Sequence, residues 1–361
     1  MKKNTIKRKI WLDRRVRLQW LRSIKSCNAT NQSEAKSLTR LRCFIILAPK
    51  LLIAEKYEQR QQILDVLSNI EKRLQSGSYR VKLDFSKVEK IFPGGMLILL
   101  AALQSMAKRH PGRISARCPP YSLAAQLLNH FGLCSALRIS PSLSRPKDSS
   151  VIDWSHLTGT QAAGEEVTML LDKYRKNTKA EIPEGLFSVL TEGLTNVRHH
   201  AYTTQDSISE ADQTWWLFSR YAEPTAKSQG SLYIAIYDAG VGIPATMRNK
   251  LEVKEIVINL VDKAGELTTL TEGTALDKRL LHIAVTHKRS QTGQPHRGNG
   301  LPEMREFVAT AQGGRLHIVS GKAQYSFIHG ATDGHTDGFR QKFPGTLLLW
   351  SLPLRAKETT S

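Results

Sequence analysis

Apolar residues run unbroken from Cys43 to Ala48 at strand length, recur at helical spacing from Tyr57 to Leu74, and alternate with polar ones from Tyr79 to Phe85. The Gly94-Gly95 pair then opens an apolar helix to about Lys108, followed by a strand over Arg113 to Cys118 and a helix over Ser122 to Phe131. Strands alternating with helices at this spacing predict one small α/β unit. Ser and Pro crowd the stretch from Ser140 to Ser150, which has little to bury and reads as an exposed connection between two folded units.

The second half turns on Pro183 to Tyr202, PEGLFSVLTEGLTNVRHHAY. Drawn as a helix, it puts Leu186, Phe187, Leu190, Leu194 and Val197 on one side and Glu192, Asn196, His199 and His200 on the other. Glu192 and Asn196 are one turn apart, so a carboxylate and an amide oxygen stack within reach of a single ligand. Strand patterns follow at Trp215 to Tyr221, Ser231 to Tyr237, Gly314 to Ser320 and Gly345 to Trp350, with a helix over Pro302 to Ala311. Between Pro244 and His296 the pattern is helical from Leu251 to Leu260 and polar through TTLTEGTAL. Phe327 to Pro344 reads as irregular, with His329, Asp333 and His335 as solvent-facing loop residues.

Length and charge bound the reading further. A chain of 361 residues suits two domains of ordinary size. Met96 to Ala102 is the richest apolar run and is too short to cross a bilayer, and no secretory signal is legible, so the expected location is cytoplasmic. The four cysteines lie far apart without metal spacing, which predicts reduced, packed thiols. A net charge of +20 biases the surface toward polyanions. Residues 1–38 form a basic arm, rich in Lys and Arg up to Lys25, that either stays solvated or contacts nucleic acid.

Candidate chemistry sits at the ends of the later strands. Asp238-Ala239-Gly240-Val241-Gly242 closes one of them, so the backbone can pass close under a flat ring while the carboxylate accepts a hydrogen bond from an exocyclic amine. Arg297-Gly298-Asn299-Gly300-Leu301 leads into a helix, whose first N–H groups form an anion site to which Arg297 adds charge.

The first unit, through VKLDFSKVEKIFPGGMLILLAAL and LLNHFGL, resembles a STAS domain, the sulfate-transporter and anti-sigma-antagonist module. In the antagonist branch the turn before the long helix carries a phosphorylated serine; here it is Phe92-Pro93-Gly94-Gly95, with no hydroxyl. The resemblance therefore implies a docking or sensing part, not a phosphorylated switch. The second unit, by the order of its motifs from the E-x-x-x-N helix to the Gly345-Thr346 strand, resembles the ATP-binding domain of gyrase, MutL, heat-shock chaperones and histidine kinases, the GHKL superfamily. TEGLTNVRHHAY is most similar to the anti-sigma serine-kinase branch.

That resemblance implies an α/β sandwich with a mixed sheet and helices on one face, over residues 164–356, after a STAS-like domain at 39–139 and a connection at 140–163, with a tail at 357–361. It implies ATP and Mg²⁺ as cofactors. Asn196 would hold the metal, Glu192 would act as general base, and Asp238 would recognise adenine beside Thr346, with Gly240 and Gly242 forming the pocket floor. Gly298, Gly300 and Leu301 would line the phosphate side. His200 matches the helix-end histidine of the kinase branch, although His199 lies nearer the Glu192 face, and which of the two meets ligand stays open. The segment after Pro244 corresponds to the lid. Two functions follow: a protein serine/threonine kinase-like component that switches a regulatory partner, or an ATP-gated interaction module with slow or no hydrolysis.

Overall fold

The computed structural model describes residues 41–118, 123–137, 154–160, 164–178, 180–197, 201, 214–224, 229–248, 273–287 and 300–354. The first unit comprises β1 (Arg42–Leu47), β2 (Leu51–Leu52), α1 (Tyr57–Gln75), β3 (Tyr79–Asp84), β4 (Lys90–Ile91), α2 (Pro93–Arg109), β5 (Ile114–Arg117), α3 (Leu123–His130) and α4 (Leu133–Ala136). β1, β3 and β5 form a parallel sheet in that order, with α1 and α2 as crossovers, and β2 pairs with β4. Ile63, Leu67, Ile70 and Leu74 recur at three- and four-residue spacing along α1 and are all buried.

Pro93 starts α2 at a position where a missing N–H costs nothing. The next two residues are glycine because there is no room for more: a Cβ on Gly95 would overlap the Leu52 backbone, and one on Gly94 would press on Leu349 and Ala54. From Met96 to Ala101 every residue of α2 is buried, including both sides of the helix. Such a helix must be covered all round. One side packs on α1, and another lies on β7 and β8 of the second unit.

The second unit comprises β6 (Trp154–Gly159), α5 (Gly164–Asn177), α6 (Leu186–Asn196), β7 (Trp215–Ala222), β8 (Ser231–Asp238), α7 (Ile243–Arg248), α8 (Gly273–Thr286), α9 (Gly300–Thr310), β9 (Arg315–Ile328) and β10 (His335–Pro353). The strands form one five-stranded sheet in the order β6-β7-β8-β10-β9. Side chains alternate between its faces. Trp215, Leu217, Ile234, Ile236, Leu348 and Trp350 join the core under α5, α6, α8 and α9, whereas Trp216, Phe218, Ala235, Tyr237, Leu347 and Leu349 join the core of the first unit.

Several expectations are corrected here. The molecule is mixed α/β, but every ladder of the five-stranded sheet is antiparallel, and parallel pairing is confined to the first unit. The sheet carries helices on both faces, because α2 supplies the second layer. Trp154–Gly159, inside the stretch assigned to a connection at 140–163, is a strand paired with β7. Phe327 to Pro344 is largely ordered: His335–Gly338 pairs with Ala323–Ser326, and the ladder slips register between Gly338 and Phe343 and again before Thr346. These irregularities break the period-two pattern that would have marked a strand. α8, with Leu280, Leu281 and Val285 buried, lies wholly within the segment between Pro244 and His296 read as a lid. The basic arm, residues 140–150 and Leu251 to Leu260 lie outside the described residues.

Candidate functional site

β8 ends at Asp238, which faces Thr346 of β10 on one side and Trp215 of β7 on the other. Its side chain is buried, and Oδ1 accepts the N–H of Gly240 at 2.8 Å. Thr346 gives it two further hydrogen bonds, from backbone N–H and hydroxyl. Loss of water outweighs these donors, so burial pushes the carboxyl up to about 7. Behind Thr346 lies Ser320, with its hydroxyl 3.1 Å from that of Thr346. Ser320 Oγ accepts the Ile243 N–H at 2.8 Å and donates to the Gly345 carbonyl at 3.2 Å. This network ties the start of α7 to the edge strand β9 and its neighbour β10.

The turn after Asp238 needs its glycines for space. A Cβ on Gly240 would overlap the Ala201 carbonyl, the same oxygen that accepts the Val241 N–H at 2.8 Å. Gly242 has φ of +89°, and any Cβ there would also approach Ser320 Oγ.

α6 lies over the sheet, with Gly193 close to Ile236 of β8 and Leu348 of β10. Gly185, left-handed at φ 80°, precedes it, and Leu186, Val189, Leu190, Gly193 and Leu194 bury its apolar face. Phe187, assigned to that face by the helical wheel, is 42% exposed. It sits at the margin of the stripe, and Val189 takes the buried place. Asn196 closes the helix with Nδ2 buried and without a hydrogen-bond partner among the described residues. Glu192, one turn earlier, is half-buried; burial, and then the nearby charge of Glu303, push its carboxyl above the ordinary range. It lies against Gly300, where a Cβ would overlap the carboxylate.

These elements enclose a cleft with about 790 Å³ of empty space counted to its open mouth. Asn196, Asp238, Gly242, Gly300, Leu301 and Thr346 all line it. Glu192 and Gly240 adjoin it without lining it, so the floor role expected of Gly240 passes to its close contact with Ala201. His199, His200, Arg297 and Gly298 lie outside the described residues. The pattern did not single out Gly193, Ile236, Ile243, Met247, Ala284 and Leu348, which form the apolar walls. Nor did it single out Ser320. Apolar residues at strand and helix positions carry no mark that separates a pocket wall from a core.

The donor set fits a flat, partly apolar ligand with one donor group for Asp238. Among the described residues no cluster of three or more His, Cys, Asp or Glu could hold a metal ion unaided. A cation at Asn196 would therefore need further oxygen ligands from a bound molecule. No described helix is long and apolar enough to cross a membrane. A scan against protein-family models and a search of curated proteins both returned no match.

Proposed function

We propose that the cleft binds ATP with Mg²⁺ and that the chain is an ATP-binding regulatory protein of the GHKL type. The observation that carries this reading is that Asp238 and Asn196, distant in sequence, line one cleft with a buried acceptor at one wall and an unpartnered amide at another. Asp238, braced by Thr346 and Gly240, accepts the amine of an adenine ring held between Ile236, Ile243, Met247 and Leu348. Asn196 contributes its amide oxygen to the metal, and the α9 N-terminus at Gly300 and Leu301 presents N–H groups to phosphate oxygens. Mg²⁺, when bound, supplies neutralisation of phosphate charge by a hard cation suited to oxygen ligands.

For chemistry, the reading is phosphoryl transfer to a serine or threonine of a partner protein. Glu192, with its carboxyl raised above the ordinary range by burial and then by Glu303, is the group that would take the hydroxyl proton. Two observations favour the second reading, an ATP-gated interaction module: Glu192 does not line the cleft, and the reverse face of the nucleotide sheet is already occupied by α2 of the first unit. In either case the STAS-like first unit serves docking or sensing.

Titration of the full chain with ATP in the presence of Mg²⁺ tests the pocket. Wild type should bind saturably and Asp238→Asn should not, with matched circular dichroism; equal affinity would overturn the proposal. Incubation of wild type and Glu192→Ala with γ-labelled ATP and lysate separates the two activities. Label on a partner, lost with Glu192→Ala, supports the kinase, and binding without label or phosphate release supports the gated module.

A further inference from the structure

A second cavity lies far from Asp238 in sequence, at the joint between the two units. Counted to its open mouth in the same way as the Asp238 cleft, it has about 1310 Å³ of empty space, and it is lined by Arg80 of β3, Lys108 and His110 at the end of α2, and His156 of the edge strand β6. No carboxylate lines it. These four groups come from three separate elements, so their convergence is not the by-product of a basic run in the sequence. Gathering like charge in a concavity opposes folding unless an anion enters it. Lys108 also complements the negative end of α2.

The opposite wall is apolar. Phe131 and Leu137 line it, and Phe131 is held rigidly, stacked on Phe218 at 4.4 Å between ring centroids and edge-on to Trp154 at 5.1 Å. His156 stands edge-on to Phe218 at 5.6 Å, which aims its ring at the cavity from a fixed position. Burial, and then the neighbouring His130, hold its imidazole below the ordinary value. An anion beside it would reverse that bias.

We propose that this cavity is a second ligand site, for a small organic phosphate whose oxyanion meets Arg80, His110 and His156 while an aromatic or apolar body rests on Phe131. Because β6 belongs to the nucleotide sheet and β3 and α2 to the first unit, its occupant touches both. Phenyl phosphate and inorganic phosphate are the probes, titrated calorimetrically into the full chain. Phenyl phosphate should bind at one site per chain and more tightly than inorganic phosphate. Arg80→Gln, alone or with His156→Gln, should weaken it about tenfold or more, the scale of losing a charge-assisted bond. Lys82→Gln, which removes a charge from the same strand outside the cavity, should leave affinity unchanged, as should Asp238→Asn. The proposal falls if phenyl phosphate gives no saturable heat, if Arg80→Gln binds like wild type, or if Lys82→Gln weakens binding as much, which would reduce the effect to general charge. Loss of binding in Asp238→Asn would instead assign the probe to the nucleotide cleft and equally overturn it.

Discussion

Thr346 stands directly opposite Asp238 across the β8–β10 ladder and hydrogen-bonds its carboxylate through both backbone N–H and hydroxyl. Even so, burial pushes that carboxyl up to about 7. An acid with a raised folded pKa holds its proton more tightly in the folded chain than in the unfolded one, so its contribution to stability is lost as pH rises through about 7. Ligand-free wild type should therefore lose on the order of a few kcal/mol between pH 5 and 8 relative to Asp238→Asn. Urea unfolding of both proteins at the two pH values measures this. His317, whose imidazole burial lowers to about 4, contributes the opposite slope in both and cancels in the difference. Parallel pH profiles would show that the carboxylate is ionised at no cost.

Gly300 opens α9 against Glu192, so its missing side chain is the space the carboxylate occupies. Gly300→Ala should cost about 1–3 kcal/mol, the usual penalty for overfilling a packed contact. It should also weaken nucleotide binding, since Gly300 and Leu301 line the cleft. In a Glu192→Ala background the added methyl has room, and most of the stability loss should vanish. A double-mutant cycle in urea reads that coupling directly. Equal destabilisation by Gly300→Ala in both backgrounds would place the clash elsewhere.

Asn196 leaves Nδ2 buried without a partner among the described residues, so its amide adds little to the empty protein. Asn196→Ala should change ligand-free stability by only about 0.5 kcal/mol or less. Its effect should appear when ATP affinity is compared in Mg²⁺ and in a chelator. Wild type should bind more tightly with the metal, and the variant should bind alike in both. A variant that keeps the full metal dependence would remove Asn196 from the cation site.

What could be read from sequence and what could not divide along physical lines. α1 was legible within a residue or two because its burial is periodic, and α2, β7 and β8 because their apolar runs are uninterrupted. Asn196 stood out as an amide one turn from Glu192 on the polar side of its helix, Asp238 as a carboxylate at a strand end before two glycines, and Thr346 through the resemblance in the order of motifs. The continuation of β9 and β10 past Gly321 and Gly345 was hidden by glycines and register slips. The helices on both faces were hidden for a different reason: α2 is apolar all round, and nothing local says that its second partner is a distant sheet. Phe187 shows the limit of a wheel, which ranks positions by angle but not by what lies opposite.

That distant partnership has one buried charge at its edge. Arg60 of α1 is only 1% exposed, donating to the Ala54 carbonyl at 2.7 Å and to the Gln324 side-chain oxygen on β9 at 2.6 Å. Its guanidinium also lies 5.0 Å from the Phe339 ring centroid on β10. Burial lowers it to about 10, so it remains charged at neutral pH and depends on these acceptors. Arg60→Met keeps much of the volume but strands the carbonyl and the amide, at a cost of about 2–4 kcal/mol. Because the bond to Gln324 and the contact with Phe339 join the first unit to the β9–β10 hairpin, that part of the cost should fall on cooperation between units. Trp154, Trp215, Trp216 and Trp350 all sit on strands of the second unit, Trp154 and Trp216 in the core shared with the first, whereas far-ultraviolet circular dichroism reports on the helices and strands of both. In urea the two signals should coincide for wild type and separate for Arg60→Met. Coincident curves at the wild-type midpoint would show that the apolar contact of α2 with β7 and β8 holds the units together without Arg60.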